Sequence, residues 1–238
     1  MISKKVISNI VSKYSLGNYI EKVDWVIDDK KLNIKFIIDS KVLTGYVEYR
    51  DTIGLKKGSY SIFNTSQLIK CLNILDGDIL LEANSKLNMA DTNYEVKFRF
   101  ADPALIPDVP YIKEPDQASV FFNLNDEFIT RFVKSKDALS DLDTFTVETR
   151  EGFTGEELVF TIGTNITNTI EFTVEAEINE SFGPVSFDSN ILKEILKANR
   201  DYHSGEIRVF KGGFIDLHIH CGGPLYTGYY LVRKQENN

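Results

Sequence analysis

The chain has 238 residues, enough for one large domain or two of about 120. Apolar residues make up 42% and charged residues 26%, a balance that excludes a disordered chain. The formal net charge of -8 argues against a surface that is basic throughout, because holding nucleic-acid phosphate needs Lys and Arg.

One apolar signature recurs along the chain: two adjacent apolar residues, then a second apolar position four residues on. It reads Val6-Ile7 with Ile10-Val11, Leu68-Ile69 with Leu72, Phe128-Ile129 with Phe132-Val133, and Ile191-Leu192 with Ile195-Leu196. Positions i, i+1, i+4 and i+5 share one side of an α-helix, so each copy predicts a short amphipathic helix. The copies start 62, 60 and 63 residues apart, which makes the pattern a repeat rather than a coincidence. The helices are expected at residues 3–14, 65–75, 125–136 and 188–202. Ser3, then one of Asn64, Thr65 or Ser66, then Asn125 or Asp126, then Asp188 or Ser189 are the candidate N-caps.

Between the helices the apolar period falls to two. Residues 31–36, 94–100, 145–148, 169–178 and 214–219 alternate, as half-buried antiparallel strands do. Turn signals separate them at Asp28-Asp29, Asp76-Gly77-Asp78, Glu151-Gly152 and Lys211-Gly212-Gly213. Each stretch of about 60 residues then holds one helix and several strands, and four such stretches make two similar domains. Four of the six prolines (Pro103, Pro107, Pro110 and Pro115) fall within residues 101–119, which reads as an extended connector. The expected division is residues 1–103, a connector at 104–118, and residues 119–238.

Charge is distributed unevenly. The four predicted helices carry ten basic residues: Lys4, Lys5, Lys13, Lys70, Arg131, Lys134, Lys136, Lys193, Lys197 and Arg200. They carry five acids: Asp126, Glu127, Asp188, Glu194 and Asp201. The helices are therefore +5 in a chain of -8, which leaves -13 for everything else. Lys193, Lys197 and Arg200 share one helical stripe, as do Arg131 and Lys134. Basic helices on an acidic scaffold point to one surface built to face phosphate. With no base-reading motif, such contacts should be sequence-neutral and salt-sensitive.

No other constellation carries chemistry. His218 and His220 share a strand face, but Cys221 lies opposite and His203 is the one remaining histidine, too few ligands for zinc. Asp137, Asp141 and Asp143 lack the glycine and closing glutamate of a calcium loop and read as solvated acids. Gly212-Gly213 and Gly222-Gly223 fit hairpin turns, not phosphate loops. No acid–base set for catalysis is evident, so neither an enzyme nor a cofactor is expected. Cys71 and Cys221 are expected to be reduced thiols. No stretch approaches the ~18 apolar residues of a membrane span, and residues 1–15 lack a signal-peptide core, so a cytoplasmic protein is expected.

The order of these pieces resembles the DNA polymerase sliding clamps, most closely the two-domain processivity clamp of T-even-like tailed phages. The resemblance covers nearly the whole chain. It is carried by Phe100-Ala101-Asp102-Pro103 leading into the connector, by Val185-Ser186-Phe187-Asp188-Ser189-Asn190-Ile191-Leu192-Lys193-Glu194-Ile195-Leu196, and by the ending Gly228-Tyr229-Tyr230-Leu231-Val232. It implies an α+β DNA clamp fold in which each of two similar domains packs two helices on antiparallel sheets. It further implies a homotrimeric, pseudo-sixfold ring around duplex DNA, opened by a clamp loader and used by a DNA polymerase in the host-cell cytoplasm. A partner peptide would then dock beside the connector, with Val109, Tyr111, Ile112, Leu225, Tyr226 and Tyr229 as candidate groove residues. The competing reading is a structural β-rich phage or assembly protein with no role on DNA.

Overall fold

The computed structural model describes residues 1–51, 53–112, 117–153, 155–164 and 166–234. The chain divides into two units, Met1–Pro110 with Gly222–Thr227, and Tyr111–Cys221 with Gly228–Asn238. The division falls at Pro110, within residues 104–118. The first unit also takes in Gly222–Thr227: Arg50 N donates to Pro224 O (2.9 Å), and the Arg50 guanidinium lies 3.9 Å from the Tyr226 ring centre. Residues 113–116 of the connector, Pro115 among them, lie outside the described residues.

The first unit runs β1 (Ile2–Ser3), α1 (Lys4–Ser15), β2 (Val23–Ile27), β3 (Leu32–Ile37), β4 (Leu43–Tyr49), β5 (Gly58–Ile62), α2 (Thr65–Asn73), β6 (Asp78–Ala83), β7 (Lys86–Ala90) and β8 (Glu95–Arg99). The second runs β9 (Val120–Asn123), α3 (Asp126–Ala138), β10 (Thr144–Glu151), β11 (Glu156–Ile162), β12 (Ile170–Val174), β13 (Glu177–Ile178), β14 (Val185–Asp188), α4 (Ser189–Ala198), β15 (Ser204–Phe210), β16 (Phe214–His220) and β17 (Leu225–Val232), of which residues 225–227 group with the first unit.

Strand pairing repeats from one unit to the other. In the first, the strands pair in the orders β1-β6-β7-β8 and β5-β2-β3-β4; in the second, β9-β15-β16-β17 and β14-β10-β11-β12, with β13 added beside β9. The opening strand pairs with the strand after the second helix, and the strand before that helix pairs back to the one after the first helix. The duplication inferred from helix spacing is thus present in the topology. One strand run is divided: residues 169–178 form β12 and β13, which belong to different sheets. A pattern of period two registers alternation, not which sheet receives it.

Each unit has its own core. In the first, α1 and α2 pack together and bury Ile7, Ile10, Leu68 and Leu72, while Trp25 and Tyr14 are fully buried. The Trp25 indole N–H donates to the Tyr14 hydroxyl (3.4 Å), and burial raises the Tyr14 pKa above the usual tyrosine value. In the second, α3 and α4 bury Phe128, Phe132, Ile191 and Ile195 beside aromatic rings of the sheet. Phe145 stacks on Phe160 and Phe187, and Phe132 meets Phe145 edge-on at 5.1 Å.

Three helices are capped by the expected residues. The side chains of Asn64, Asn125 and Asp188 accept from the backbone N–H of Gln67 (2.7 Å), Phe128 (2.8 Å), and Asn190 with Ile191 (2.9 and 3.1 Å). Ser3 makes no such bond, because it sits in β1 opposite Asp78, and Lys4 N donates instead to Gly77 O (3.0 Å). Changing Asp188 to Ala should lower stability by about 1 kcal/mol, since two backbone donors lose their acceptor. Urea unfolding of the two proteins checks this, and a loss within error would remove Asp188 as a cap.

Candidate nucleic-acid interface

The ten basic residues separate into groups once their surroundings are known. Lys13 is 0% exposed, because it follows Ile10 by three residues and shares the core-facing side of α1. Lys136 is also buried; its Nζ donates to Leu139 O (3.4 Å) and Ser140 O (2.7 Å) and closes the C-terminus of α3. Burial first, and repulsion from Lys193 second, depress its pKa below the usual lysine value. Neither side chain is placed to meet phosphate, and both assignments are corrected. Lys4 caps the far end of α2 by donating to the carbonyls of Asn73 (3.4 Å) and Leu75.

Three more are held by carboxylates. Arg131 pairs with Glu127 and donates to Thr173 O (3.2 Å), Lys193 pairs with Asp137, and Lys197 pairs with Glu194 (3.1 Å). The bond from Lys193 holds the Asp137 carboxyl below its usual pKa, and Lys234 does the same for Asp143 (3.0 Å). Those acids, expected to be merely solvated, are counter-charges to lysines. Arg200 lies beyond α4, which ends where Asn199 leaves helical geometry and bonds Ile195 O and the Tyr229 hydroxyl, both at 2.8 Å.

Lys5, Lys70, Lys134 and Arg200 are exposed and have no ion-pair partner among the described residues. The observed helices still sum to +5. The positive charge is concentrated, however, on the first unit. There α1 and α2 hold four lysines and no acid, whereas α3 and α4 hold five bases against four acids.

The candidate groove residues also separate. Tyr111 is 89% exposed, and Val109 and Ile112 are partly exposed. Tyr226 is partly exposed under Arg50, while Leu225 is buried. Tyr229 is fully buried, its hydroxyl accepting from Asn199 Nδ2, so it offers no surface to a partner and is corrected. Neighbouring residues of a strand face opposite ways, so the partly exposed ring is Tyr230. It stacks on Phe214 (5.8 Å) and meets His218 edge-on (6.0 Å), forming an aromatic platform on the second unit. The pair Tyr229-Tyr230 is legible in sequence as strand; its phase is not.

Asp216 is fully buried beneath this face, paired with Arg208 and with His218 Nε2 (2.8 Å). Among the described residues no group of three or more His, Cys, Asp or Glu is placed to hold a metal ion. No helix there is long and apolar enough to cross a membrane. Cys71 and Cys221 are both unbridged and partly exposed.

No protein-family model matches the chain, and no curated protein does. Solved structures do. Proliferating cellular nuclear antigen from Entamoeba histolytica superposes with a TM-score of 0.73 at 16% identity, over 98% of this chain and 96% of that one. A structure of A. fulgidus PCNA with the C-terminal region of FEN-1 bound gives a TM-score of 0.76 at 15% identity, over 100% and 98%. At these identities the likeness establishes the fold: the chain has the α+β, antiparallel-sheet architecture of PCNA-type clamps.

Proposed function

We propose that this protein is a sliding clamp, which closes as a ring around duplex DNA and tethers a replicative DNA polymerase without catalysing a reaction. The observation that carries the reading is the duplicated unit of two helices on antiparallel sheets, its helices +5 in a chain of -8. A closed ring leaves DNA only at an end, so weak, sequence-neutral phosphate contacts suffice and sliding is preserved. Tethering raises the effective concentration of the polymerase at its substrate.

Three copies would supply six units, the number implied by the resemblance to T-even-like phage clamps, and a clamp loader would open the ring. The partner segment would dock on the Phe214–Tyr230 platform, where stacked, partly exposed rings supply apolar anchors. The A. fulgidus protein, which holds the C-terminal region of FEN-1, supports a partner that binds through a terminal peptide.

Two measurements test the reading against a structural assembly protein. Three copies of the 27.1 kDa chain should give a solution mass of about 81 kDa. After loading, the protein should stay on nicked circular DNA and run off the same DNA once it is linearised. A monomer at micromolar concentration, or equal retention on both DNA forms, sinks the clamp.

A further inference from the structure

We propose that the solvent face of the first unit's sheet carries a docking groove for a basic, extended segment of a partner protein, separate from any DNA contact. Two clefts of about 560 and 440 Å³ lie within this unit and share Leu80 and Glu82. Ile79 and Leu81 face the core, so alternation turns Leu80 outward, where it is 47% exposed. Leu80 thereby offers an apolar anchor at the point where the two clefts meet. Tyr94, 53% exposed at the tip of the β7–β8 hairpin, lines the second cleft.

The hairpin tip is fixed in place. Asp91 accepts from Asn93 N, Tyr94 N and Asp76 N, each at 2.7 Å, and these bonds hold its carboxyl below the usual pKa. Tyr94 is thereby presented on a rigid turn, which limits the ordering cost of binding.

An open strand edge runs along the first cleft. β1 pairs with Ile79 and Asp78, so residues 81–83 of β6 have no strand partner on that side among the described residues. Across the cleft lie Ile53 and Leu55, both nearly buried, so the open apolar surface is that of Leu80 and Tyr94. An extended segment can add to such an edge through its backbone while alternate side chains enter the groove.

Charge selects the occupant. Four carboxylates line the two clefts (Asp51, Glu82, Asp91 and Glu95) against Lys56 and the Met1 amino group; Glu95 is paired with Lys97 (3.1 Å), so Glu82 carries the selection. Glu82, common to both clefts, is exposed and has no ion-pair partner among the described residues. The complement is a segment alternating Lys or Arg with apolar residues. Duplex DNA is repelled by the same carboxylates, so the groove and the helix lysines serve different partners.

Fluorescence anisotropy on the whole protein tests this, with a labelled heptapeptide alternating arginine with leucine and valine. Leu80→Ala should weaken that peptide by at least about tenfold, and so should Glu82→Arg. Glu82→Arg should also bring in the peptide that has glutamate in place of arginine. Both residues face solvent, and the two variants act through different chemistry, so one misfolded variant leaves the other as a test. Three results overturn the proposal: arginine-peptide affinity within about twofold of the parent in a folded variant, equal binding of the glutamate peptide by the parent, or a change of solution mass in Leu80→Ala that marks the groove as a contact between copies. Loading on DNA is not read in these measurements, so their failure would leave the clamp reading standing.

Discussion

Changing Lys5 and Lys70 together to Ala should weaken duplex binding by at least about tenfold and flatten its salt dependence, the log–log slope falling by about 0.9 for each phosphate no longer neutralised. Changing Lys193 and Lys197 should do little by comparison. All four lysines lie on helices with the same apolar signature, and a count of charge alone treats them alike. Their partners differ. Lys193 and Lys197 are tied to Asp137 and Glu194, so each presents phosphate with a pair of opposite charges rather than a cation. Lys5 and Lys70 stand on helices without a single acid, and neither has an ion-pair partner among the described residues.

Both side chains are exposed, so the substitutions remove charge without opening the core. Anisotropy of a labelled duplex over a series of salt concentrations reads affinity and slope together. If Lys193 and Lys197 matter as much as Lys5 and Lys70, the charge asymmetry between the units has no role on DNA. If neither pair matters, the helices do not face DNA at all.

Sequence and structure agree where a single element decides the outcome. The four helices follow from apolar residues at i, i+1, i+4 and i+5, and Asn64, Asn125 and Asp188 cap them because a short polar side chain there has free N–H groups within reach. Agreement ends where a second element intervenes. Ser3 has the right chemistry for a cap, but its backbone is committed to Asp78 across the sheet. The stripe of Lys193, Lys197 and Arg200 predicts a last helix reaching residue 202. That helix stops at Ala198 because the Asn199 amide is taken up in the core by Ile195 O and the Tyr229 hydroxyl.

The candidate site shows the same limit. That Lys13 and Lys136 are buried follows from their offset to the apolar face, which the sequence displays. That Lys193 meets Asp137 does not, because α3 must first pack on α4. Tyr229 and Tyr230 exchange roles because a strand's period is visible in sequence and its phase is not.

On the ring reading proposed above, reversing the charge of Lys97 and Arg99 together should leave a 27.1 kDa monomer. β8 and β12 each end a four-stranded sheet, and each is five residues long. The opposite ends of those sheets offer less: β1 has two residues, and Ser186 O of β14 already accepts from Lys234 N (2.8 Å). An open edge of that length must pair or be defended. β8 presents Arg99, with Lys97 beside it paired to Glu95 (3.1 Å), whereas Glu175 lies just after β12 and Glu171, within it, is paired to Arg150 (2.8 Å). Matching β8 of one copy to β12 of the next is a head-to-tail contact between different surfaces, the kind that builds rings when its rotation closes. Glutamates at 97 and 99 would join Glu95 to make three acids on β8 and set like charges against Glu175 in every copy, so assembly should be lost at micromolar concentration. Both side chains are exposed, and the fold of each unit should survive. Light scattering at micromolar concentration decides the matter. Unchanged mass in the double variant would rule out β8 as a seam, and reversing Glu171 and Glu175 to Lys in the same chain should restore assembly if the two strands meet.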